Sequence, residues 1–245
     1  MLNDFRYALD PVAWITEKLR LDLDPVQRGL VASRGRRDLL NCTRKFGKTT
    51  TIAAVATHEA NYIRGSKTVV VAPSGRQSSI LLDTVGEFAE VGQIRTTPLK
   101  GGDPGLVFPS GVLIALPSAE ATTRGLKGTT WLVVDEAARV PDQLFYAIRP
   151  FLANTNGRMT LMSTPFGKRG FFYTEHESGR WTVTKVTAPE CPRISPEFLA
   201  EERLVLPDAW FRQEYMCEFT SVDRGVFDHD AVMASLSGDV DPLCL

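Results

Sequence analysis

Two patterns of hydrophobic and polar residues follow one another along the chain, one typical of strands and the other typical of helices. Their order predicts strands separated by helices. Runs rich in apolar and β-branched residues are typical of strands buried on both faces, and they lie within residues 67–73, 131–137 and 158–163. Helical spacing occurs at residues 52–62 and 75–90, and Ser74 precedes the second of these segments as an N-cap. This order predicts an α/β sandwich with a mostly parallel sheet.

Shorter patterns complete the prediction. Residues 106–108 and 112–116 flank a Pro-Ser-Gly turn and predict a hairpin, while Asp24 and Pro25 begin a helix as its N-cap and first helical residue. Further helices are predicted at residues 11–20, 141–152, 167–177, 196–204 and 207–219, a strand at 181–187 and a polar loop at 119–128. Apolar density falls after residue 221, which predicts a linker or a small helix at 228–236.

Residues 38–51, DLLNCTRKFGKTTT, combine a short apolar run, a loop that closes in Gly47-Lys48-Thr49, and the start of a helix. These are the parts of a phosphate-binding P-loop, in which backbone N–H groups and the helix dipole face the phosphates. Lys48 is placed to reach the β- and γ-phosphates and Thr49 to coordinate Mg²⁺. The motif is unusual, because Cys42 stands where the first glycine is expected and the variable part carries two extra cations. Taken alone, it leaves an ordinary basic surface loop as an alternative.

A carboxylate pair, Asp135-Glu136, ends the apolar run that begins at residue 131. Ligands of parallel sheets bind at the carboxyl ends of the strands. Asp135 is therefore placed to hold Mg²⁺ through water, and Glu136 to polarise an attacking water. The run at 158–163 ends in Ser163 and Thr164. In the P-loop class with an added strand, that run lies between the P-loop strand and the Asp-Glu strand, where both hydroxyls can sense a γ-phosphate.

Composition limits the classes of function without selecting one. Of 245 residues, 43% are hydrophobic and 23% charged, which is ordinary for a globular protein. The 28 Lys and Arg nearly balance the 29 Asp and Glu, so any nucleic-acid contact must come from local basic patches, such as residues 34–37 or 168–169. The four cysteines form no CxxC pair, which argues against a zinc site or a disulfide scaffold. There is neither an apolar membrane span nor a signal peptide, so we expect a soluble protein that is not secreted.

Taken together and in this order, the motifs resemble the ATPase domain of phage terminase large subunits, the motors that package viral DNA. The resemblance covers about residues 11–220 and rests on Gln27 and on TRKFGKT at 43–49, TRG at 123–125, VDEAA at 134–138, MSTP at 162–165, FRQEY at 211–215 and CEF at 217–219. It implies a P-loop NTPase of the ASCE type, a three-layer sandwich with a small C-terminal lid or linker region. Residues 1–220 are predicted to form the ATPase domain, with 170–220 as a lid subdomain. Residues 221–245 would be a linker or the start of an absent nuclease domain.

The resemblance also implies roles for individual residues. Arg44 would contact the γ-phosphate and help couple hydrolysis to movement, and Gln27 would face the adenine, although the helical pattern alone predicts an exposed glutamine there. Arg124 would be the arginine finger supplied to a neighbouring subunit, with Arg139 as a rival that is otherwise expected to be an exposed arginine. The catalytic set is then Glu136, Lys48, Arg44 and Arg124; the ATP-binding set is Gln27, Thr43, Arg44, Lys45, Phe46, Gly47, Lys48, Thr49 and Thr50; the metal ligands are Thr49 and Asp135; and the coupling motif is Ser163 and Thr164.

The expected cofactors are ATP and Mg²⁺. By resemblance the partners are double-stranded DNA, a portal protein and a small terminase subunit. Further copies of the chain would form a ring, although the isolated chain could be a monomer. The expected location is the host cytoplasm, away from membranes. DNA cleavage is not expected, because the acidic residues after residue 219 are dispersed. Two alternatives are a helicase-like nucleic-acid-dependent ATPase, which needs a second RecA-like domain, and a nucleotide-binding assembly protein that does not hydrolyse.

Overall fold

A computed structural model describes residues 2–33, 35–101, 103–121 and 126–221. The α-helices in these ranges are α1 (Leu2–Leu9), α2 (Pro11–Glu17), α3 (Pro25–Ala32), α4 (Lys48–Tyr62), α5 (Gly75–Val91), α6 (Ser118–Ala121), α7 (Asp142–Ile148), α8 (Gly170–Glu177), α9 (Pro196–Val205) and α10 (Asp208–Glu214). The strands are β1 (Arg37–Cys42), β2 (Ser66–Ala72), β3 (Thr97–Pro98), β4 (Gly105–Val107), β5 (Gly111–Pro117), β6 (Trp131–Asp135), β7 (Arg158–Ser163) and β8 (Thr182–Val186).

The strands form one sheet in the order β3-β4-β5-β2-β6-β7-β1-β8. All neighbours pair in parallel except β3 with β4 and β4 with β5, so the predicted hairpin is an antiparallel extension of a mostly parallel sheet. Strand β7 lies between β1 and β6, which confirms the position predicted for the hydroxyl-bearing strand. The ends of β1, β6 and β7 are therefore adjacent at one edge of the sheet.

Two apolar cores cover the two faces of the sheet, which makes the fold a three-layer sandwich. Successive residues of a strand point to opposite faces. Val70 and Val133 accordingly pack in the core that includes residues of α4 and α5. Val69, Val71 and Val134 pack in the core that includes residues of α7 and α8. The consecutive apolar residues of β2 (residues 69–72) and β6 (residues 131–134) are thus explained by burial on both sides.

Some boundaries differ from the prediction. The helix expected to run to residue 219 ends at Glu214, and Cys217 adopts a positive φ of 52°, which helical backbone does not allow. The helix predicted at 141–152 is α-helical only to Ile148 and continues as a 3₁₀ helix. The short helix α6 overlaps the start of the loop predicted at 119–128, and α1 and β3 were not predicted.

The lid subdomain proposed for residues 170–220 stays a prediction, and one of its strands belongs to the main sheet. Strand β8 pairs in parallel with β1 along its whole length. The predicted linker and the helix at 228–236 lie outside the described residues, as does Cys244. The three cysteines within them are free and buried. No helix in the described ranges is long and apolar enough to span a membrane.

Candidate nucleotide-binding site

The P-loop connects β1 to α4 and is anchored in the core by its own phenylalanine. Phe46 is fully buried among the residues of the core that contains α4. The loop turns at Lys45 and Gly47, which have φ of 63° and 85°, whereas Cys42 ends β1 without a positive φ. A glycine is therefore not required at position 42, and the Cys42 side chain is buried beneath the loop.

Lys48 is the first residue of α4, and its side chain lies against the loop that precedes it. Its Nζ donates hydrogen bonds to the carbonyl oxygens of Cys42 and Thr43, at 2.8 and 3.1 Å. No side chain caps the N-terminus of α4, where Gly47 occupies the N-cap position. The N–H groups of this first turn are therefore available to an anion, as the P-loop prediction requires.

Thr49 joins the P-loop to the end of β6. Its hydroxyl donates to Oδ2 of Asp135 at 3.2 Å, so the two predicted metal ligands are adjacent. Burial, together with the neighbouring charge of Glu136, raises the pKa of Asp135 to about 6. A nearby cation would offset the free-energy cost of burying the charged Asp135 carboxylate. One hydroxyl with one carboxylate suits Mg²⁺, which takes its other ligands from phosphates and water. The described ranges contain no group of three or more His, Cys, Asp or Glu that could hold a metal ion.

Glu136 leaves the strand in a left-handed conformation, with φ of 47°. Its carboxylate turns toward β7, where its Oε2 accepts a hydrogen bond from Ser163 at 3.4 Å. The same oxygen accepts from Nη1 of Arg139 at 3.0 Å. Backbone strain of this kind is often found at functional sites. The structure thus brings the predicted base and the first residue of the predicted coupling motif together.

Arg139 is not the exposed arginine that the sequence suggested. Its guanidinium contacts Glu136, the Thr164 hydroxyl at 3.3 Å, and Glu214 at 3.2 Å. It also lies 5.1 Å from the centre of the Phe166 ring. These contacts are all within its own chain, at the centre of the site. Arg124, the other candidate finger, lies outside the described residues.

Glu214, the last residue of α10, is a site residue that the sequence analysis missed. One carboxylate oxygen accepts from Nε of Arg44 at 2.6 Å and the other from Arg139 at 3.2 Å. Its side chain is 6% exposed, whereas that of Arg44 is 60% exposed. Burial alone would raise the pKa of Glu214, but the hydrogen bond and charge of Arg44, with the charge of Arg139, hold the pKa below its ordinary value. The segment FRQEY carried the only sequence signal, and it gave Glu214 no role.

The end of α10 also contacts the loops around the site through the backbone. The Thr43 hydroxyl donates to the carbonyl oxygen of Glu214 at 3.1 Å. Gln213 accepts from the backbone N–H of Gly167, three residues after Thr164, at 3.2 Å. A single helix end therefore touches the P-loop, the loop after β7 and, through Arg139, the end of β6.

Gln27 is buried, so its prediction as an exposed helical glutamine is wrong. It forms a capping box with Asp24, and its Nε2 donates to the carbonyl oxygen of Phe46 at 2.9 Å. A Cβ on Gly47 would come within 2.9 Å of that nitrogen, so the P-loop packs directly on the amide. Beside it lies a cavity of about 340 Å³, lined by Leu21, Asp22, Leu23, Gln27, Lys45, Gly47, Thr50, Thr51 and Arg193.

Comparison with known proteins matches residues 39–232 to the family "Terminase large subunit, T4likevirus-type, N-terminal". The chain belongs to this family. The match includes the P-loop, the Asp-Glu strand end and the segment around Glu214. Gln27 precedes the matched region, so its place beside the P-loop rests on the structure.

Two curated terminase large subunits are similar to this one. That of Escherichia phage T5 is 26% identical over 171 residues, which are 66% of this chain and 39% of the relative. That of Thermus virus P23-45 is 26% identical over 248 aligned positions, covering 82% of this chain and 50% of the relative. The terminase chain described here thus spans half or less of the length of these relatives.

Solved structures share the fold of this terminase chain. The large terminase ATPase domain of Thermus phage P74-26 superposes with a TM-score of 0.72 at 22% identity, covering 86% of this chain and all of that one. The large terminase of bacteriophage HK97 gives 0.70 at 18% identity, covering 86% and 55%. A large terminase from a thermophilic bacteriophage, in complex with ATP-γ-S, gives 0.62 at 9% identity, covering 87% and 52%.

Proposed function

We propose that this terminase chain is a Mg²⁺-dependent ATPase that drives the translocation of double-stranded DNA into a procapsid. The observation that carries the proposal is the hydrogen bond between Thr49 and Asp135, which joins the P-loop to the acidic strand end. Lys48 and Glu136 lie next in sequence to these two residues. Phosphate binding, metal binding and water activation would then occur within one group of neighbouring residues, as phosphoryl transfer requires.

Each residue of this group has a role set by its position. Lys48 would exchange its two loop carbonyls for phosphate oxygens, and the N–H groups at the start of α4 would bind the same anion. Thr49 and Asp135 would hold Mg²⁺, which supplies positive charge to the phosphate oxygens. Glu136 would accept a proton from the attacking water, and Ser163 would orient its carboxylate.

Arg44 and Glu214 suggest how nucleotide is sensed. Arg44 is exposed and lies in the P-loop, but its charge is paired with Glu214. A γ-phosphate would compete with that carboxylate for the guanidinium, because both are anionic partners of an arginine. Binding of ATP would thereby release the end of α10, and Ser163 and Thr164 would transmit hydrolysis to the DNA.

Arg124 is the better candidate for a finger that acts on a neighbouring subunit. The guanidinium of Arg139 already pairs with two carboxylates of its own chain, so it is poorly placed to reach the nucleotide of a neighbouring subunit. Family membership is what supports double-stranded DNA, a portal protein, a small terminase subunit and a homo-oligomeric ring as partners. The site would then be complete only between neighbouring copies.

Glu136→Gln tests the function. We expect the variant to bind ATP with Mg²⁺ as the wild type does and to lose turnover by at least about 100-fold, since general-base catalysis contributes on that order. The measurements are phosphate release, with and without double-stranded DNA, and calorimetric binding of ATP-γ-S. Glu177→Gln, an exposed substitution of the same kind on α8, is the matched control. Turnover retained by Glu136→Gln would contradict its role, and absence of turnover in the wild type under all conditions would favour a non-hydrolysing binding protein.

A further inference from the structure

Arg193 joins three separate segments at the side of the P-loop away from the catalytic carboxylates. Its Nη2 donates to Asp24 at 2.8 Å and to the carbonyl oxygen of Phe46 at 2.6 Å. Its Nη1 lies 3.4 Å from Oε1 of Gln27. The guanidinium also lies 5.6 Å from the centre of the Phe46 ring. Contacting these three acceptors at once requires the several coplanar N–H donors of a guanidinium, and a lysine cannot replace them.

These contacts fix the orientation of the Gln27 amide. Its oxygen accepts from the Asp24 N–H at 3.2 Å and from Arg193, which occupies both of its lone pairs. Its nitrogen donates one N–H to the Phe46 carbonyl. The second N–H is what the amide has left to offer a ligand, so Gln27 is held as a hydrogen-bond donor.

The cavity beside this amide suits a planar base. It opens next to Gly47 and Thr50 of the P-loop, so a nucleotide with its phosphates on the loop can place its base there. Leu21 and Leu23 supply apolar wall, and Gln27 and Arg193 supply a donor and a flat cation. An apolar cleft with few fixed polar groups is typical of small-ligand sites. The ring nitrogens of a purine are acceptors for the donor that Gln27 presents.

We propose that Arg193 is a positioning residue for recognition of the nucleotide base, acting by locking the Gln27 amide against the P-loop. The inference rests on the proposed function, because it assumes that the phosphates bind the loop. Arg193 then contributes to the part of the affinity that depends on the base. It contributes little to the part that depends on the phosphates.

The test compares two ligands, Mg²⁺-ATP and Mg²⁺-tripolyphosphate, by titration calorimetry on the full chain. We expect Arg193→Ala to bind ATP at least about tenfold more weakly, because the Gln27 amide loses the charged donor that fixes its orientation. Tripolyphosphate binding should change less than about threefold. Arg193→Lys should behave like the alanine variant, and adding Gln27→Ala to Arg193→Ala should cost no further ATP affinity. Arg180→Ala, which removes an exposed arginine that pairs with the buried Glu175, is the control.

Three outcomes would overturn this inference. Equal loss of both ligands would mean that Arg193 only shapes the P-loop, and full rescue by lysine would mean that only its charge matters. Independent effects of Gln27→Ala and Arg193→Ala would separate the two residues. Each of these leaves the proposed function standing. Failure of the wild type to bind either ligand would instead overturn the proposed function, and this inference with it.

Discussion

Asp135 is a residue of this site whose buried carboxylate lowers the stability of the fold when it is charged. It is buried at the end of β6, with Glu136 as its neighbour, and its pKa is raised to about 6 from an ordinary value of 3.8. The folded protein therefore binds a proton more tightly than the unfolded chain between these two values. Its stability must fall as the pH rises through that window, because the charged form is the one that burial penalises.

We expect Asp135→Asn to stabilise the nucleotide-free protein at pH 7.5, by on the order of 1–3 kcal/mol, since one unit of pKa corresponds to about 1.4 kcal/mol. Asparagine keeps an acceptor for the Glu136 N–H and a polar partner for Thr49. The gain should appear between pH 4 and 6, stay constant above that window, and disappear below it. Urea denaturation at several pH values measures it. The same variant should lose the stabilisation that Mg²⁺-ATP gives the wild type.

Asp208→Asn, on an exposed ion pair with Arg203, is the control for Asp135→Asn. A gain that is independent of pH, or one that persists at pH 4, would contradict a buried charge at Asp135. Unchanged stabilisation by Mg²⁺-ATP would contradict its role as a metal ligand.

The sequence predicted the location of individual residues where one motif defines them. Lys48, Thr49, Asp135 and Glu136 follow from the local order of strand, loop and helix, and in the structure Thr49 contacts Asp135, while the roles of all four stay a prediction. Glu214 could not be found in this way, because its partners Arg44 and Arg139 are distant in sequence and meet it only through the packing of α10. The helical pattern alone predicted an exposed Gln27, whereas the resemblance placed it at the adenine. The structure buries the side chain against the P-loop, and its contact with adenine stays a prediction.

At the scale of elements, α10 contacts the site at its C-terminal end. Its last residue pairs with Arg44, and its carbonyl accepts from Thr43. Beyond it, the carbonyl of Cys217 accepts from Asn41 at the end of β1, at 3.0 Å. The helix prediction extended past these contacts, because apolar spacing alone does not reveal where the backbone turns and accepts a hydrogen bond from the Asn41 side chain.

We expect Glu214→Gln to have opposite effects on stability and on nucleotide binding. The neutral amide leaves Arg44 and Arg139 without their shared carboxylate, which should lower the free energy of unfolding by about 1–2 kcal/mol, less than for a fully buried pair because Arg44 is exposed. Affinity for ATP-γ-S should increase, because Arg44 no longer has to break its ion pair with the Glu214 carboxylate before it contacts the γ-phosphate. Denaturation and calorimetry, each at pH 7.5, measure the two effects.

The stability difference between Glu214→Gln and the wild type also depends on pH. The pKa of Glu214 is lowered from its ordinary value of 4.5, so its contribution is present above that value and is lost as the pH falls below it. Glu218→Gln, which breaks an exposed ion pair with Arg212, controls for charge in the same segment. Weaker ATP-γ-S binding by Glu214→Gln would show that the carboxylate does not compete with the γ-phosphate.

At the scale of the whole molecule, the position of a strand in the sheet explains whether the sequence predicted it. Apolar runs predicted the central strands, and the P-loop class placed β7 between β1 and β6, which the structure confirms. The edge strand β3 has two exposed residues and no apolar pattern, so its pairing with β4 could not be predicted from the sequence. The sheet brings the proposed catalytic groups of one chain together. Among the described residues, the arginines that lie beside these groups are Arg44 and Arg139, and Arg139 is paired with Glu136 and Glu214 of the same chain.

Mixing two inactive variants tests whether the site is completed by a neighbouring chain. Arg124→Ala keeps its own catalytic groups but cannot supply a finger, whereas Glu136→Gln can supply the finger but cannot hydrolyse. We expect each alone to release phosphate at least about 100-fold more slowly than the assembled wild type, since a finger in trans contributes about 10³–10⁵ in rate. An equal mixture should recover a substantial fraction of turnover, and the wild-type rate should rise faster than linearly with concentration. Mixing Glu136→Gln with Arg139→Ala is the control, because Arg139 should be needed within the chain that hydrolyses. Recovery only in that second mixture would assign the finger to Arg139, and recovery in neither would mean that each chain completes its own site.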